Sequence, residues 1–304
     1  MVSMDILLIG YEGQVAWELR RTLACLGRAV ALGLNTRPAL DLRDVAAIRE
    51  AVRTHRPHLI VNAAAYTAVD KAEEDSEAAH RINAEAVGIL AEEARAADAG
   101  LIHYSTDYVF PGDASQPYRE DDPTDPLGVY GQSKRRGEEY ISQVGARHLI
   151  LRTAWVYGGR GANFLLTMLR LMRERESLGI VDDQHGAPTW SRLIAEATAL
   201  LVARCGRDGR FDPAERSGTY HLTSAGATTW FGFARRIREL AISRGLLDDS
   251  AAALNPIPTS AYPTPARRPH YSVLSNEKLK AAFDLALPDW DTALALCLAD
   301  MPRA

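Results

Sequence analysis

Two stretches of this chain carry residue types whose spacing can do chemistry. The first is Gly10-Tyr-Glu-Gly13-Gln-Val-Ala16, which follows the apolar run Ile6 to Ile9 and opens a helix-length amphipathic stretch. At a strand-turn-helix junction the first amides of the helix point at an anion, and glycine permits both the turn and the close approach of a diphosphate. Ala16 stands where a third glycine is usual, and a small side chain is enough there to pack helix on strand. The pattern alone is equally a tight turn; its place after a buried strand favours a dinucleotide.

The second stretch is Tyr130-Gly-Gln-Ser-Lys134, at the start of a predicted helix, preceded by Ser105-Thr106-Asp107 leaving a strand. Residues four apart share a helix face, so the phenol and the ammonium can look into one cleft. A tyrosine titrating near ~10 is a poor proton donor and acceptor at neutral pH, and a nearby cation brings that value toward the working range. The hydroxyl of Thr106 can hold a substrate oxygen beside the phenol. A tyrosine packed on a sheet with a solvated lysine one turn on has the same spelling. The company of a dinucleotide turn and a strand-end hydroxyl makes Thr106, Tyr130 and Lys134 the candidate catalytic set.

The cofactor is expected to be NADPH, with NADH also accepted. A carboxylate for the ribose hydroxyls, usual about 20 residues after the glycine turn, is missing from Ala31-Leu-Gly33-Leu-Asn35-Thr36-Arg37. Arg37, with Asn35 or Thr36, can pair a 2′-phosphate, and Gly33 loosens the discrimination. Asp41-Leu42 can reach adenine, or Asp41 can cap the next helix.

These groups need a scaffold. Apolar runs without alternation at Ile6 to Ile9, Ala29 to Leu32, Leu59 to Val61, Leu101 to Tyr104 and His148 to Leu151 read as strands covered on both faces. Helical stretches at 13–26, 44–55, 76–98 and 131–143 lie between them. That rhythm predicts an α/β fold, a doubly wound parallel sheet with a smaller C-terminal α/β region. Residues 1–155, with returning segments, form the expected dinucleotide-binding domain; 156–304 form most of the substrate region. There the pattern loosens into helices at 162–176, 191–204 and 230–243, strands at Ile180-Val181 and Thr219 to Leu222, and two terminal helices. Pro256 to Pro269 reads as an ordered loop.

The whole chain is compatible with this plan. With 304 residues, 47% hydrophobic, it can bury full cores. Its 35 basic and 39 acidic side chains leave a net charge of −4, and without a basic block no nucleic-acid polymer is expected as partner. No run approaches the roughly 20 apolar residues of a membrane span, and no signal peptide is read, so a cytoplasmic enzyme without membrane contact is expected. Cys25, Cys205 and Cys297 are too widely spaced for a zinc knuckle and are read as reduced, packed thiols.

The residues resemble the extended short-chain dehydrogenase/reductases, and within them the dTDP-4-dehydrorhamnose reductase family. The matching segments are Gly10 to Glu18, Val61 to Glu73, Ser105 to Pro111, Val129 to Lys134, Leu151 to Tyr157, Asp183 to Thr189 and Ala261 to Pro269. The resemblance implies reduction of the C4 ketone of dTDP-4-dehydro-L-rhamnose, with Tyr130 as proton donor, Thr106 on the carbonyl, and Lys134 on the phenol and the nicotinamide ribose. It implies cofactor contacts at Gly10, Gly13, Gln14, Val15, Asp41, Leu42, Ala63, Ala64, Ala65, Tyr130 and Lys134. The sugar would be bordered by Val69, Asp107, Tyr108 and Trp155; Val69 and Trp155 can also be packing, and Asp107 a loop cap. For the diphosphate of the nucleotide sugar, Arg267, Arg268 and Asn163 are candidates, although arginines among prolines are as often simply solvated. His185 and His221 read as structural.

One departure from the family concerns metal. Glu18 matches a position described as binding magnesium between subunits, but Arg192 stands where a second carboxylate is expected. A cation there opposes a divalent ion, so no metal is expected and a homodimer is left open. Two rival functions remain: reduction of another dTDP-4-keto deoxysugar, and a non-catalytic dinucleotide-binding regulatory subunit, against which the joint presence of Thr106, Tyr130 and Lys134 argues.

Overall fold

The computed structural model describes residues 4–302. Its strands of four or more residues are β1 (Met4–Ile9), β2 (Gly27–Leu32), β3 (Leu59–Asn62), β4 (Gly100–Thr106), β5 (His148–Thr153), β6 (Ser177–Val181), β7 (Gly218–His221) and β8 (Ala253–Ile257). Six of them form one parallel sheet in the order β7-β5-β4-β3-β1-β2. Chain order reverses between β1 and β3, so the crevice beyond their carboxyl ends is where such a sheet receives a ligand.

Side chains alternate across a strand, and here both sets are apolar. Ile6 and Leu8 face α1 (Gln14–Thr22), while Leu7 and Ile9 face α2 (Val45–His55) on the other side. The predicted helix 76–98 is α4 (Ser76–His80) and α5 (Ala86–Ala96), after a one-turn α3 (Val69–Ala72), with a π turn at Arg81–Glu85 between α4 and α5. Next to α5 lies α6 (Val129–Val144), which starts two residues before the predicted 131 and so takes Tyr130 into its first turn.

Beyond β5, α7 (Phe164–Glu174), α8 (Ser191–Cys205) and α9 (Trp230–Ser243) follow. Helix α8 returns to pack beside α1, and β7 returns as an edge of the main sheet. A separate apolar core joins Leu165, Met168, Phe233 and Ile237 with Leu178 and Ile180 of β6. Part of the expected loop Pro256 to Pro269 is strand: Pro256 and Ile257 end β8, which pairs in parallel with β6. A two-stranded ribbon is all edge, and proline is tolerated there. Cys205 and Cys297 are buried as expected, but Cys25 is exposed, because α1 has already ended in a 3₁₀ turn at Leu23–Cys25. No helix among the described residues is long and apolar enough to cross a membrane.

The helix that carries Tyr130 and Lys134 is fixed to the sheet by charge. Glu138 of α6 accepts from Arg152 Nε at 2.9 Å and from a terminal nitrogen at 2.7 Å, both side chains being buried. A bidentate pair of this kind fixes orientation, and removing one partner strands the other charge. Glu138→Ala is expected to cost about 3–5 kcal/mol in urea unfolding; a loss below about 1 kcal/mol would mean that the pair does not hold α6.

Candidate active site

The glycine turn has the conformation its sequence requires. Gly10 has φ +109°, and a Cβ there would lie 3.2 Å from the carbonyl carbon of Ala63 and 3.3 Å from the Ala16 methyl. Both a left-handed backbone and close packing across the β1/β3 crevice exclude a side chain. Gly13 caps α1 without any side-chain hydrogen bond to the first-turn amides. Those uncapped amides and the bare turn fit a diphosphate. Gln14, Val15 and the Ala63 to Ala65 backbone flank this turn, with Ala63 N bonded to Ile9 O at 2.9 Å.

At the adenosine end the expectations divide. Arg37 is exposed, with no hydrogen bond among the described residues, but its proposed helpers are spent locally. Asn35 donates to Glu12 at 2.7 Å, and the Thr36 hydroxyl closes the loop through Gly33 and Pro38. Asp41 is paired with Arg43 at 2.6 Å, and Leu42 packs on the apolar core. The cap of α2 is Asp44, accepting from Ala46 and Ala47, and not Asp41.

At the carboxyl end of β4 the catalytic candidates converge. Thr106, 6% exposed, accepts from Tyr108 N at 3.2 Å and donates to Asp107 at 3.1 Å. The Thr106 hydroxyl also faces the Tyr130 phenol. Helix α6 enters hard against this corner: a Cβ on Gly131 would lie 2.2 Å from Tyr108 O, so the glycine after the tyrosine permits the approach. Tyr130 and Tyr108 meet edge to face at 5.8 Å. Lys134, one turn on, is 2% exposed; its Nζ donates to Tyr104 O at 2.6 Å and lies 3.2 Å from His103 Nε2.

Electrostatics here follow from burial. Tyr130 is pushed up to about 12 by desolvation, eased by the Thr106 hydrogen bond, with Asp107 pushing further up. Lys134 is pulled down to about 8 by desolvation, opposed by Glu138. The expectation that Lys134 lowers the phenol is therefore not what these side chains do alone, since the ammonium is directed at the Tyr104 carbonyl. Asp107 is raised to about 6, first by desolvation, and its second oxygen has no partner.

Val69, Tyr108, Tyr130, Ala266 and Arg267 line one cleft, which brings the proline-rich loop over the tyrosine. Arg267 is exposed at its mouth. Arg268 pairs with Asp70 at 2.7 Å and with Thr264, and it also lies beside the Tyr108 phenol. Asn163, expected as a substrate donor, caps α7 through Leu166 N, and its amide donates to Gln14, Gly158 and Arg160. Trp155 has φ +46°, rare for a bulky residue and characteristic of functional corners, and stacks on Trp230 at 3.5 Å. His221 is buried against Ser275 O and Phe110, while His185 is exposed. Arg192 lies between Glu18, at 3.4 Å, and Asp300, at 2.6 Å.

Sequence reasoning missed Asn83 and Trp230. Asn83, in the π turn, accepts from Tyr66 N and donates to Tyr66 O and Ser133, tying the loop after β3 to α6. A π turn inside an apparently regular helix leaves no periodicity signal, although such turns gather at functional sites.

Sheet order and the glycine turn define the class: a doubly wound α/β fold of the dinucleotide-binding kind. The family model described as RmlD substrate binding domain matches residues 4–303, and the chain belongs to that family. It is 50% identical over 301 residues to dTDP-4-dehydrorhamnose reductase of Burkholderia thailandensis, covering 98% of this chain and 99% of the relative. It is 46% identical over 299 residues to the reductase of that name from Escherichia coli K12, covering 98% of each. A solved dTDP-4-dehydrorhamnose reductase from Bacillus anthracis, in complex with NADP, superposes with a TM-score of 0.88 at 30% identity, over 98% of this chain and 100% of that one.

The raised Asp107 carboxyl makes a stability prediction. Because it binds its proton more tightly folded than unfolded, its contribution is full below the ordinary 3.8 and is lost as pH rises through about 6. Asp107→Asn has no proton to lose, so urea unfolding should find it gaining on the wild type by up to about 3 kcal/mol between acid and neutral pH. A difference that stays constant with pH would contradict the buried, proton-retaining carboxyl.

Proposed function

We propose that this chain reduces the C4 ketone of dTDP-4-dehydro-L-rhamnose to dTDP-L-rhamnose, using NADPH and also accepting NADH. The observation that carries this reading is the Tyr130 phenol set against Thr106 at the end of β4, with Lys134 buried one turn further along α6, in a sheet whose β1/β3 crevice carries a bare, uncapped glycine turn. Full-length likeness to curated reductases of that name, and to one solved with NADP, supports the substrate and cofactor. When bound, the reduced nicotinamide supplies the hydride for C4.

The chain's own residues do the rest. Tyr130 gives its phenolic proton to the C4 oxygen as the carbonyl becomes an alcohol. At neutral pH the phenol, held near 12, is present as the proton donor. Thr106 turns its hydroxyl from Asp107 to the same oxygen, and Lys134 holds the nicotinamide ribose and stabilises the tyrosinate that remains. Gly10, Gly13, Gln14, Val15 and Ala63 to Ala65 hold the dinucleotide, Asp41 and Leu42 border adenine, and Arg37 pairs the 2′-phosphate. Val69, Asp107 and Tyr108 border the sugar. Trp155, backed by Trp230, offers a flat face. For the substrate diphosphate Arg267 is favoured over Arg268, whose charge is already paired. Work in the cytoplasm belongs to the same reading.

Absorbance of NADPH should fall on addition of enzymatically made dTDP-4-dehydro-L-rhamnose, with dTDP-L-rhamnose as product; no oxidation, or oxidation only with a different 4-keto sugar, overturns the assignment. Tyr130→Phe should lower kcat by roughly 10²–10⁴-fold while NADPH binding, followed by fluorescence, stays near wild type; retained activity would remove the phenol from the proton-donor role. Arg37→Ala should raise KM for NADPH more than for NADH, and equal effects would exclude phosphate pairing.

A further inference from the structure

Beneath Lys134 lies a chain of buried polar groups that the reduction as described does not use. Asn62 ends β3 and His103 is its partner across the sheet in β4; the two are 1% and 0% exposed. Asn62 Nδ2 lies 3.1 Å from His103 Nδ1, and His103 Nε2 lies 3.2 Å from Lys134 Nζ. Ala64 N donates to Asn62 Oδ1 at 3.2 Å.

That last bond decides the tautomer. Turning the Asn62 amide over would aim its NH₂ at the Ala64 N–H, donor against donor, so Oδ1 stays on Ala64 and Nδ2 faces the ring. Nδ1 must then accept, and the neutral imidazole carries its hydrogen on Nε2, toward the lysine. A neutral amine can accept that hydrogen; an ammonium cannot. We propose that Asn62 fixes His103 as the Nε2–H tautomer, and that this N–H, aimed at Lys134 Nζ, sets how tightly the catalytic lysine keeps its proton.

The other groups around Lys134 are few. From β4 come His103 and the Tyr104 carbonyl, which accepts from Nζ. From its own helix comes Glu138, whose charge is shared with Arg152 of β5. Burial, followed by the lysine charge, holds His103 well below its ordinary range, so the ring stays neutral and its tautomer is the variable. Ala64 belongs to the loop assigned to the cofactor, and so the relay ties that loop's position to the lysine. His103 is thus a positioning residue. The proposal rests on the reading of Lys134 as part of the reductive site.

Nitrogen-15 NMR of the histidine-labelled, cofactor-free chain tests it without turnover, with His103→Phe identifying the resonances. The neutral Nε2–H pattern throughout the neutral range is expected; an Nδ1–H ring or an imidazolium overturns the proposal. Asn62→Asp supplies a kinetic readout. The introduced carboxylate accepts from both Ala64 N–H and Nδ1–H, which frees Nε2 to accept from the ammonium. The alkaline limb of kcat/KM should move up by about one pH unit, tenfold in proton affinity. The same substitution in a His103→Phe background controls for the added charge and should move the limb by less than half as much. A limb that does not move, or moves equally with and without the imidazole, overturns the relay. Absence of any turnover by the wild type would instead defeat the functional reading and leave the NMR result to decide the tautomer.

Discussion

A lysine with 2% of its surface exposed is the constraint on which this site is built. Burying an ionisable amine is costly unless donors and acceptors are placed for it. The carbonyl of Tyr104 and the ring of His103 do that placing from β4, and they work only while α6 lies at hydrogen-bonding distance from the strand. Close approach is secured by the missing side chain of Gly131, by the Glu138–Arg152 pair, and by Asn83, which ties the loop after β3 to the same helix. Once α6 is seated in this way, Tyr130 and Thr106 have no choice but to meet.

The parallel sheet brings the two chemical stretches together. Ends of β1 and β3 form the crevice with the glycine turn, while the end of β4 supplies Thr106 one strand further along. A protein with a flat sheet of the same strands in another order would separate the dinucleotide turn from the tyrosine. The second core, around α7 and α9, contributes Trp230, which backs Trp155, and the proline-rich loop closes one side of the cleft.

Much of this was legible in the sequence because buried parallel strands write themselves as apolar runs, and helix faces as periodicities. The five strands from Ile6 to Leu151 and the helix of Tyr130 were placed that way, and the chemical set followed from types and spacing. What stayed hidden is what periodicity does not encode. The π turn at Arg81–Glu85 sits inside an unbroken helical pattern. Strand β8 contains a proline that argues against a strand until its partner β6 is known. That Asn163 closes a helix end and Arg268 pairs with Asp70 are facts of tertiary contact alone. Asn62 lies just past the expected strand Leu59 to Val61 and His103 inside the expected strand Leu101 to Tyr104, and only register puts them in line with Lys134.

The central claim is that phenol, alcohol and lysine act together on one carbonyl. Its most direct test is a crystal structure of this chain with NADP and dTDP-L-rhamnose bound. The account predicts the sugar C4 oxygen within about 3 Å of both Tyr130 Oη and Thr106 Oγ1, with Lys134 on the nicotinamide ribose. A C4 oxygen lying beyond hydrogen-bond reach of the phenol, with another group of the chain in its place, would contradict it.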